Sequence, residues 1–409
     1  MCYIFRQPSN TTLIVIAKHD TNGFMIHKSE IMIHNTIYDS SGATDYHHGR
    51  FPPESPDLNL LQKPFSDAMV ALTRFDTMLR NMPNSELLLA PLRTRDAVVS
   101  SRMEGTISTL EEVLRLEADS DGLDLSTAAR NETLEVALYA RALKQAEKQI
   151  RDGYPISEYL IKNTHGILLS FGRGAEKKPG EYKTKQNYIG DKRQRRIDYI
   201  PISPEYLPAG MGTLFEFIKS GEMHPLLKAA LAHAEFEALH PFEDGNGRLG
   251  RMLITLMLWE SNVLSAPHFF ISDYFERNKD EYIDRLRAVS GKNDWIGWAG
   301  FFLEALHHQA ISNIETVGRV QAHYEEMYEV FRDTLRSRWS TDALNYIFEN
   351  PVFRNNRFRR NAGVPSGVAN NFTNKLLDAG LLKTLIPPAG SATGLYSFPS
   401  LMEIVQEPE

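Results

Sequence analysis

The sequence predicts a mainly α-helical protein, interrupted by one β-hairpin and closed by a small α+β domain that resembles a winged helix. Three observations predict it. Apolar residues recur at helical spacing through most of residues 55–310, as Met69, Leu72, Phe75 and Leu79 do. Two short β-favouring runs, Gln186–Ile189 and Ile197–Ile200, flank the charged stretch Asp191–Arg196, which reads as strands and tip of a hairpin. After Ser340 the pattern shortens to three brief helical segments and two strand-like runs around Pro387–Ser391.

Residues 1–50 lack periodicity, are rich in Asn, Thr, Ser and His, and are expected to form a poorly ordered extension, with Met32 a candidate internal start. Residues 51–125 form an N-terminal helical region. There Ser66 can cap the helix carrying Met69 to Leu79, and Ser108-Thr109-Leu110-Glu111 reads as a capping box before Val113, Leu114 and Leu116. The core is expected over 126–310, with helical patterns at Leu134–Leu143 and Ser157–Leu169; His165 reads as a packed helix residue. Residues 311–339 read as a helical connector. In 340–409, helices are expected at Thr341–Phe348, Arg354–Asn361 and Pro365–Leu377, with strands at Leu381–Ile386 and Leu395–Phe398. Arg354, Arg357, Arg359 and Arg360 make a local basic patch, which suits either a DNA contact or a packing and dimerisation module.

Composition narrows the function. With 42% hydrophobic and 24% charged residues, the 409-residue chain has ordinary globular composition for two or three packed units. A net charge of −7 excludes a globally basic nucleic-acid binder. One cysteine, Cys2, excludes an internal disulfide framework and suits a reducing cytoplasm. No run reaches the apolar length of a membrane helix, and Leu13–Ala17 is too short for a signal-peptide core.

The chemistry concentrates in His240-Pro241-Phe242-Glu243-Asp244-Gly245-Asn246-Gly247-Arg248-Leu249-Gly250-Arg251. Met252, Leu253, Leu256 and Met257 follow at helical spacing, so the glycine segment leads into the first turn of a buried helix. Unpaired N–H groups and the positive end of the helix dipole meet there, as a phosphate requires. Arg248 and Arg251 lie three apart and can share one face, adding cationic donors. Asp244 is a hard oxygen ligand suited to Mg²⁺ shared with a nucleotide, and His240 could take a proton from an attacking hydroxyl. Together they read as nucleotidyl or phosphoryl transfer. Gly245, Gly247 and Gly250 also spell G-x-G-x-x-G, but the Ala- and Leu-rich segment before them is helical, where a dinucleotide fold needs a strand. Singly, His240 could be a helix C-terminal histidine, and Asp244 or Asn246 an ordinary turn residue.

The segment resembles the signature of the Fic (Fic/Doc) family, H-P-F-x-[D/E]-G-N-[G/K]-R-x-x-R, at every defined position. The resemblance implies a Fic-type helical core that transfers AMP from ATP to a Ser, Thr or Tyr hydroxyl of a protein. It makes His240 the base, Asp244 the Mg²⁺ ligand, and Gly245, Asn246 and Gly247 the anion hole. It places Arg248 and Arg251 on the triphosphate, with Leu249 and Gly250 in the same phosphate-binding run. Upstream, Pro179–Gly190 resembles the family's flap, P-G-x-[FY]-R-x-x-Q-N-W-I-G, which clamps a target backbone over the nucleotide; this puts Ile189 and Gly190 beside the site. Lys183 and Tyr188 depart from the usual Arg and Trp. Ser100–Gly105 is similar to the inhibitory motif [S/T]-x-x-x-E-[G/N], in which Glu104, with Ser100 on the same helix, would pair with Arg251 and displace the γ-phosphate. The segment Asp273–Tyr282 resembles the part that encloses adenine, which implicates Tyr282, Asn278 and Ser290.

The expectation is therefore a cytoplasmic protein adenylyltransferase using ATP and Mg²⁺, restrained by Glu104. Its target protein is unnamed and could be the chain itself, a homodimer is a family habit, and no membrane partner is expected. AMP removal or another phosphoryl transfer on the same site is the alternative chemistry. A DNA-binding regulator whose core senses nucleotide is the alternative of another class.

Overall fold

The computed structural model describes residues 3–5, 30–33, 36–54, 57–119, 130–221, 223–390 and 392–406. Its axis is one 41-residue helix, Trp295–Leu335. Asp294 caps this helix by accepting from the Gly297 amide at 2.9 Å. Trp298, Phe302, Leu306, Ala310, Val317 and Val320 form a fully buried stripe along it, and helix Leu58–Asn81 packs lengthwise with Ala68, Leu72, Phe75 and Leu79 turned inward. The boundary expected at residue 310 falls within this helix, and the helical connector expected after it is the same helix continued, with no proline to stop it.

Two caps also lie away from the expected positions. Helix Leu58–Asn81 starts a full two turns before Ser66, capped by Asp57, whose Oδ1 accepts from Asn59 N at 2.9 Å. Pro64 is accommodated within it. The capping box is shifted by one residue: Thr109 N donates to Glu112 Oε2 (2.8 Å), and Glu112 N donates back to Thr109 Oγ1 (3.2 Å). Helix Leu110–Asp119 follows.

The hairpin belongs to a larger sheet. Its strands are β1 (Tyr3–Phe5), β2 (Glu30–Ile33), β3 (Thr36–Asp39), β4 (Thr44–Asp45), β5 (Tyr188–Asp191) and β6 (Arg196–Ile200). They run in the order β1-β5-β6-β3-β2, with β4 also on β6. The described part of residues 1–50 is thus not a poorly ordered extension; residues 6–29 lie outside the described ones. Strands β2 to β4 are too short to show periodicity, and their order comes from a partner strand far along the chain. Ile33 and Tyr38 pack with Tyr188 and Ile197 in a small apolar cluster of their own. The register of β5 against β6 shifts between Ile189 and Gly190. A side chain at Gly190 would overlap the Arg196 carbonyl and the Ile197 Cα, so this position takes glycine.

Residues 340–406 carry helices Ser340–Glu349, Asn355–Asn361, Ser366–Asp378 and Pro399–Gln406 with β7 (Val352–Arg354), β8 (Lys383–Ile386) and β9 (Leu395–Ser397). The sheet is antiparallel, in the order β7-β9-β8. Strand β7 and the last helix were not expected; Ser391, in the loop between β8 and β9, lies outside the described residues. Arg354 Nε donates to Asp119 at 2.6 Å and Arg357 to the Glu117 carbonyl at 2.9 Å, which ties this unit to helix Leu110–Asp119. Among the described residues no helix is long and apolar enough to cross a membrane.

Candidate active site

Helix Pro225–Leu239 begins with proline in its first turn and ends at His240, whose backbone is left-handed (φ 46°, ψ 62°). A non-glycine residue held there is strained, and the surrounding bonds show how it is kept. The amide of Lys183 donates to Pro241 O (2.8 Å). Asn187 Nδ2 donates to the carbonyls of His240 (3.2 Å) and Phe242 (3.1 Å). Lys183 Nζ is buried, bonded to Asn187 Oδ1 (2.8 Å) and Leu239 O (3.0 Å), and burial pushes it down to about 7. The base of the hairpin thus fixes the loop that presents His240.

From beneath, His165 does the same. Gly180 N donates to its Nδ1 (2.8 Å), so Nε2 carries the hydrogen and donates to Asp244 O (2.9 Å). Its ring stacks on Phe242 at 3.7 Å, and burial holds it neutral, down to about 4. His165 is a packed helix residue, as its sequence suggested, with a positioning task added.

The helix Asn246–Glu260 then opens at Gly245, whose φ of 77° requires glycine. Asn246 closes a reciprocal pair with Phe242: its Oδ1 accepts from Phe242 N and its Nδ2 donates to Phe242 O, both at 2.9 Å. Its side chain therefore shapes the loop, leaving the first-turn backbone amides as the anion donors. Asp244 Oδ1 accepts from Gly245 N at 2.6 Å and lies 3.5 Å from Arg248, with its side chain 41% exposed. Arg248 is buried, 3.9 Å from Glu135, and its Nε and one terminal nitrogen have no hydrogen-bond partner among the described residues.

Arg251 is held by helix Ala90–Met103 and by Glu104, the residue that caps the C-terminal end of that helix. Its Nε donates to Ser100 Oγ (2.8 Å), and its Nη2 to Ser100 O (2.8 Å) and Glu104 Oε1 (2.8 Å). Burial works to raise the Glu104 carboxyl, but the Arg251 charge and hydrogen bond hold it below the usual carboxylate range. That helix is fastened to the segment after the signature by Arg95–Asp273 (2.6 Å) and by a two-pronged Arg102–Glu276 pair.

One pocket collects these groups: His240, Gly247, Arg251, Glu104, Ile189 and Tyr282 all line it. His240 Nδ1 faces Glu237 O at 3.3 Å, and its Nε2 has no partner among the described residues. Burial, then the Lys183 charge, push it down to about 4, so the imidazole is neutral with a lone pair facing the pocket. Tyr282 hydrogen-bonds His233 Nε2 at 2.8 Å.

Several expected residues stand elsewhere. Leu249 points into the hydrophobic core, Gly250 packs against Glu237 and His233, and Gly190 sits in the hairpin bulge. Asn278 turns back to Tyr274 O (2.9 Å). Ser290 bonds His47 (2.8 Å) and Tyr199 (3.1 Å). None of these lines the pocket: a residue list taken along a helical run includes the faces turned away from it. Sequence reasoning missed Lys279, which bonds the Met103 carbonyl at the pocket wall, and Glu237. Both look like ordinary helix residues.

Residues 155–258 match the Fic/DOC family and residues 62–148 match its N-terminal region. The chain belongs to the Fic/DOC family. A probable protein adenylyltransferase of Aquifex aeolicus is 26% identical over 189 residues, 46% of this Fic/DOC chain and 54% of that protein. The protein adenylyltransferase Fic of Culex quinquefasciatus is 34% identical over 114 residues, 27% of this chain and 20% of that one. The Fic/DOC chain thus spans about half the length of the first relative and a fifth of the second. A Fic family protein from Desulfovibrio desulfuricans shares the fold, with a TM-score of 0.54 at 17% identity over 85% of this chain and 98% of that one. A Fic-domain signalling protein from Bacteroides thetaiotaomicron matches at a TM-score of 0.50 and 21% identity, over 61% and 97%.

Proposed function

We propose that this Fic/DOC protein is an adenylyltransferase that moves AMP from ATP to a protein hydroxyl, and that Glu104 restrains it. One observation carries the reading: Glu104 occupies the guanidinium of Arg251 inside the pocket that His240 faces with an unpaired nitrogen. A carboxylate and a γ-phosphate compete for the same donors, so the helix Ala90–Met103 blocks the productive triphosphate position. When it withdraws, the first-turn amides at Asn246 and Gly247 and the side chains of Arg248 and Arg251 hold the phosphates. His240 Nε2 takes the proton of the target hydroxyl as its oxygen attacks the α-phosphate and diphosphate leaves. Asp244 fits Mg²⁺: one exposed carboxylate beside the phosphate end is what an ion held mostly by phosphate oxygens and water needs. When bound, the ion neutralises charge on the departing diphosphate. The hairpin puts Ile189 in the pocket wall, and a target strand pairing with β5 there would take the place of β1, which occupies that edge.

For a DNA-binding role of residues 340–409 there is less support. Arg354 and Arg357 are spent on contacts within the chain, to Asp119, Thr393 and Glu117.

The test incubates wild type, Glu104→Gly and Glu104→Gly/His240→Ala with α-labelled ATP and Mg²⁺ and measures label on the protein. Label confined to the Glu104→Gly single variant supports transfer, brake and base together. Label that survives His240→Ala would sink the assignment of the base.

A further inference from the structure

Helix Pro225–Leu239 lines the pocket with Ala234, Glu237 and Ala238, then delivers His240 at its end. Ala234 and Glu237 are followed by His240 at intervals of three residues, roughly 4.5 Å of axial rise per step. The same pocket is lined by His240 and Gly247, where phosphates are expected, and by the apolar Ile283 and Leu286, which suit a base. A nucleotide laid along these steps puts its α-phosphate by His240 and its base by Ala234. Its sugar then falls at Glu237.

Glu237 is unusual there. It lines the pocket, and its Oε1 is buried with no hydrogen-bond partner among the described residues. A buried carboxyl oxygen left unpaired costs stability, so its retention calls for a ligand that pairs it. Glu237 Oε1 lies against Gly250, where an added Cβ would overlap it. Its neighbours on that wall are already engaged. His233 Nδ1 bonds Gly250 O (3.0 Å) and His233 Nε2 bonds the Tyr282 hydroxyl (2.8 Å), so neither is free to satisfy the carboxyl.

We propose that Glu237 receives a ribose hydroxyl of the bound nucleotide and is a specificity-determining residue of the pocket. This rests on the nucleotide-transfer reading of the site. Burial, opposed by Arg251 and reinforced by Glu104, pushes the Glu237 carboxyl up to about 8. It is therefore neutral near pH 7, able both to accept from one hydroxyl and to donate to the other, and it does not repel a triphosphate. A charged carboxylate at the same place would oppose the phosphates a few ångströms away.

The experiment measures binding of ATP, 2′-deoxy-ATP and 3′-deoxy-ATP with Mg²⁺ by calorimetry. It uses Glu104→Gly, in which the pocket is open, and the same protein carrying Glu237→Ala or Glu237→Gln. In Glu104→Gly, loss of the engaged hydroxyl is expected to weaken binding about tenfold, the equivalent of one good hydrogen bond. With Glu237→Ala the penalty shrinks to about twofold or less, because the partner is already gone. Glu237→Gln, which keeps an acceptor and the shape, retains part of it and decides the matter where the alanine variant does not fold. A deoxy penalty of equal size with and without Glu237 overturns the proposal, as does a base-modified nucleotide showing the coupling instead of the sugar. Absence of any ATP binding by Glu104→Gly overturns the nucleotide reading itself, an outcome distinct from the other two.

Discussion

Glu104 Oε1 lies 2.8 Å from Arg251 Nη2, and one turn earlier on the same helix Ser100 binds that guanidinium twice more. The proposed brake thus has a charged tooth and a neutral hinge. Replacing Glu104 by glycine removes the tooth and leaves Ser100 to orient Arg251. Nucleotide affinity and self-labelling are expected to rise at least about tenfold, the scale of one charge-assisted hydrogen bond. Glu104→Gln, which keeps the shape without the charge, should fall between. Equal labelling of wild type and Glu104→Gly would show that the contact does not restrain the enzyme.

Much of this site was legible because its parts are local. The signature and its helix lie within one short run, so residue types and spacing pointed to His240, Asp244 and Arg251, while Glu104 came from the resemblance of Ser100–Gly105 to the family's inhibitory motif. The one-residue error in the capping box came from adjacent equivalents: Ser108 and Thr109 are both residue types that can cap, and Glu111 and Glu112 both can close the box, but only Thr109 and Glu112 do so. What escaped notice depends on distant partners. Strands β2 to β4 are ordered by β6 and by the burial of His47 and Tyr46 on Glu235, nearly two hundred residues away. Glu237 carries no motif, and only the fold reveals that it lines the pocket. Leu249 and Gly250 sit inside the right motif on the wrong faces of its helix.

The second prediction concerns His240 and pH. Burial and Lys183 push the imidazole down to about 4, so its base form is fully present from pH 5 to 8. The rate of labelling by Glu104→Gly should therefore be insensitive to His240 across that range and decline only as pH falls toward 4. An acid limb centred near 6.5, removed by no other variant, would show that the histidine is not buried in the working enzyme. His240→Ala should cost at least about a hundredfold in rate while leaving ATP binding within about threefold.

The third concerns the histidine under the loop. His165 is held neutral at about 4 in the folded protein, against an ordinary value of 6.5. Between those values the unfolded chain binds the proton and the folded one does not. Its contribution is present above pH 6.5 and is lost as pH falls toward 4, on the order of 2–3 kcal/mol in all. His165→Phe keeps the stack on Phe242 but abandons Gly180 N and Asp244 O. Denaturant unfolding should show about 2–4 kcal/mol lost at pH 7.5 and a flatter stability profile from 6.5 to 4.5. A variant as stable as wild type with an unchanged profile would deny His165 this task.

The last prediction separates the hairpin from the nucleotide site. At Gly190 the obstacles to a side chain are backbone, the Arg196 carbonyl and the Ile197 Cα, and backbone in a paired strand cannot step aside as a flexible side chain can. Gly190→Ala must therefore shift β5 against β6 at the point where their register already changes. The phosphate groups stand on other elements, the helices Asn246–Glu260 and Ala90–Met103. In a Glu104→Gly background, ATP affinity should then remain within about threefold, while transfer to a protein target drops about tenfold or more, because the hairpin strand that walls the pocket beside His240 is displaced. Calorimetry and labelling on the same preparation decide it. A parallel loss of both would mean that the hairpin supports the nucleotide itself, and transfer at the full rate would mean that targets reach His240 without relying on the hairpin.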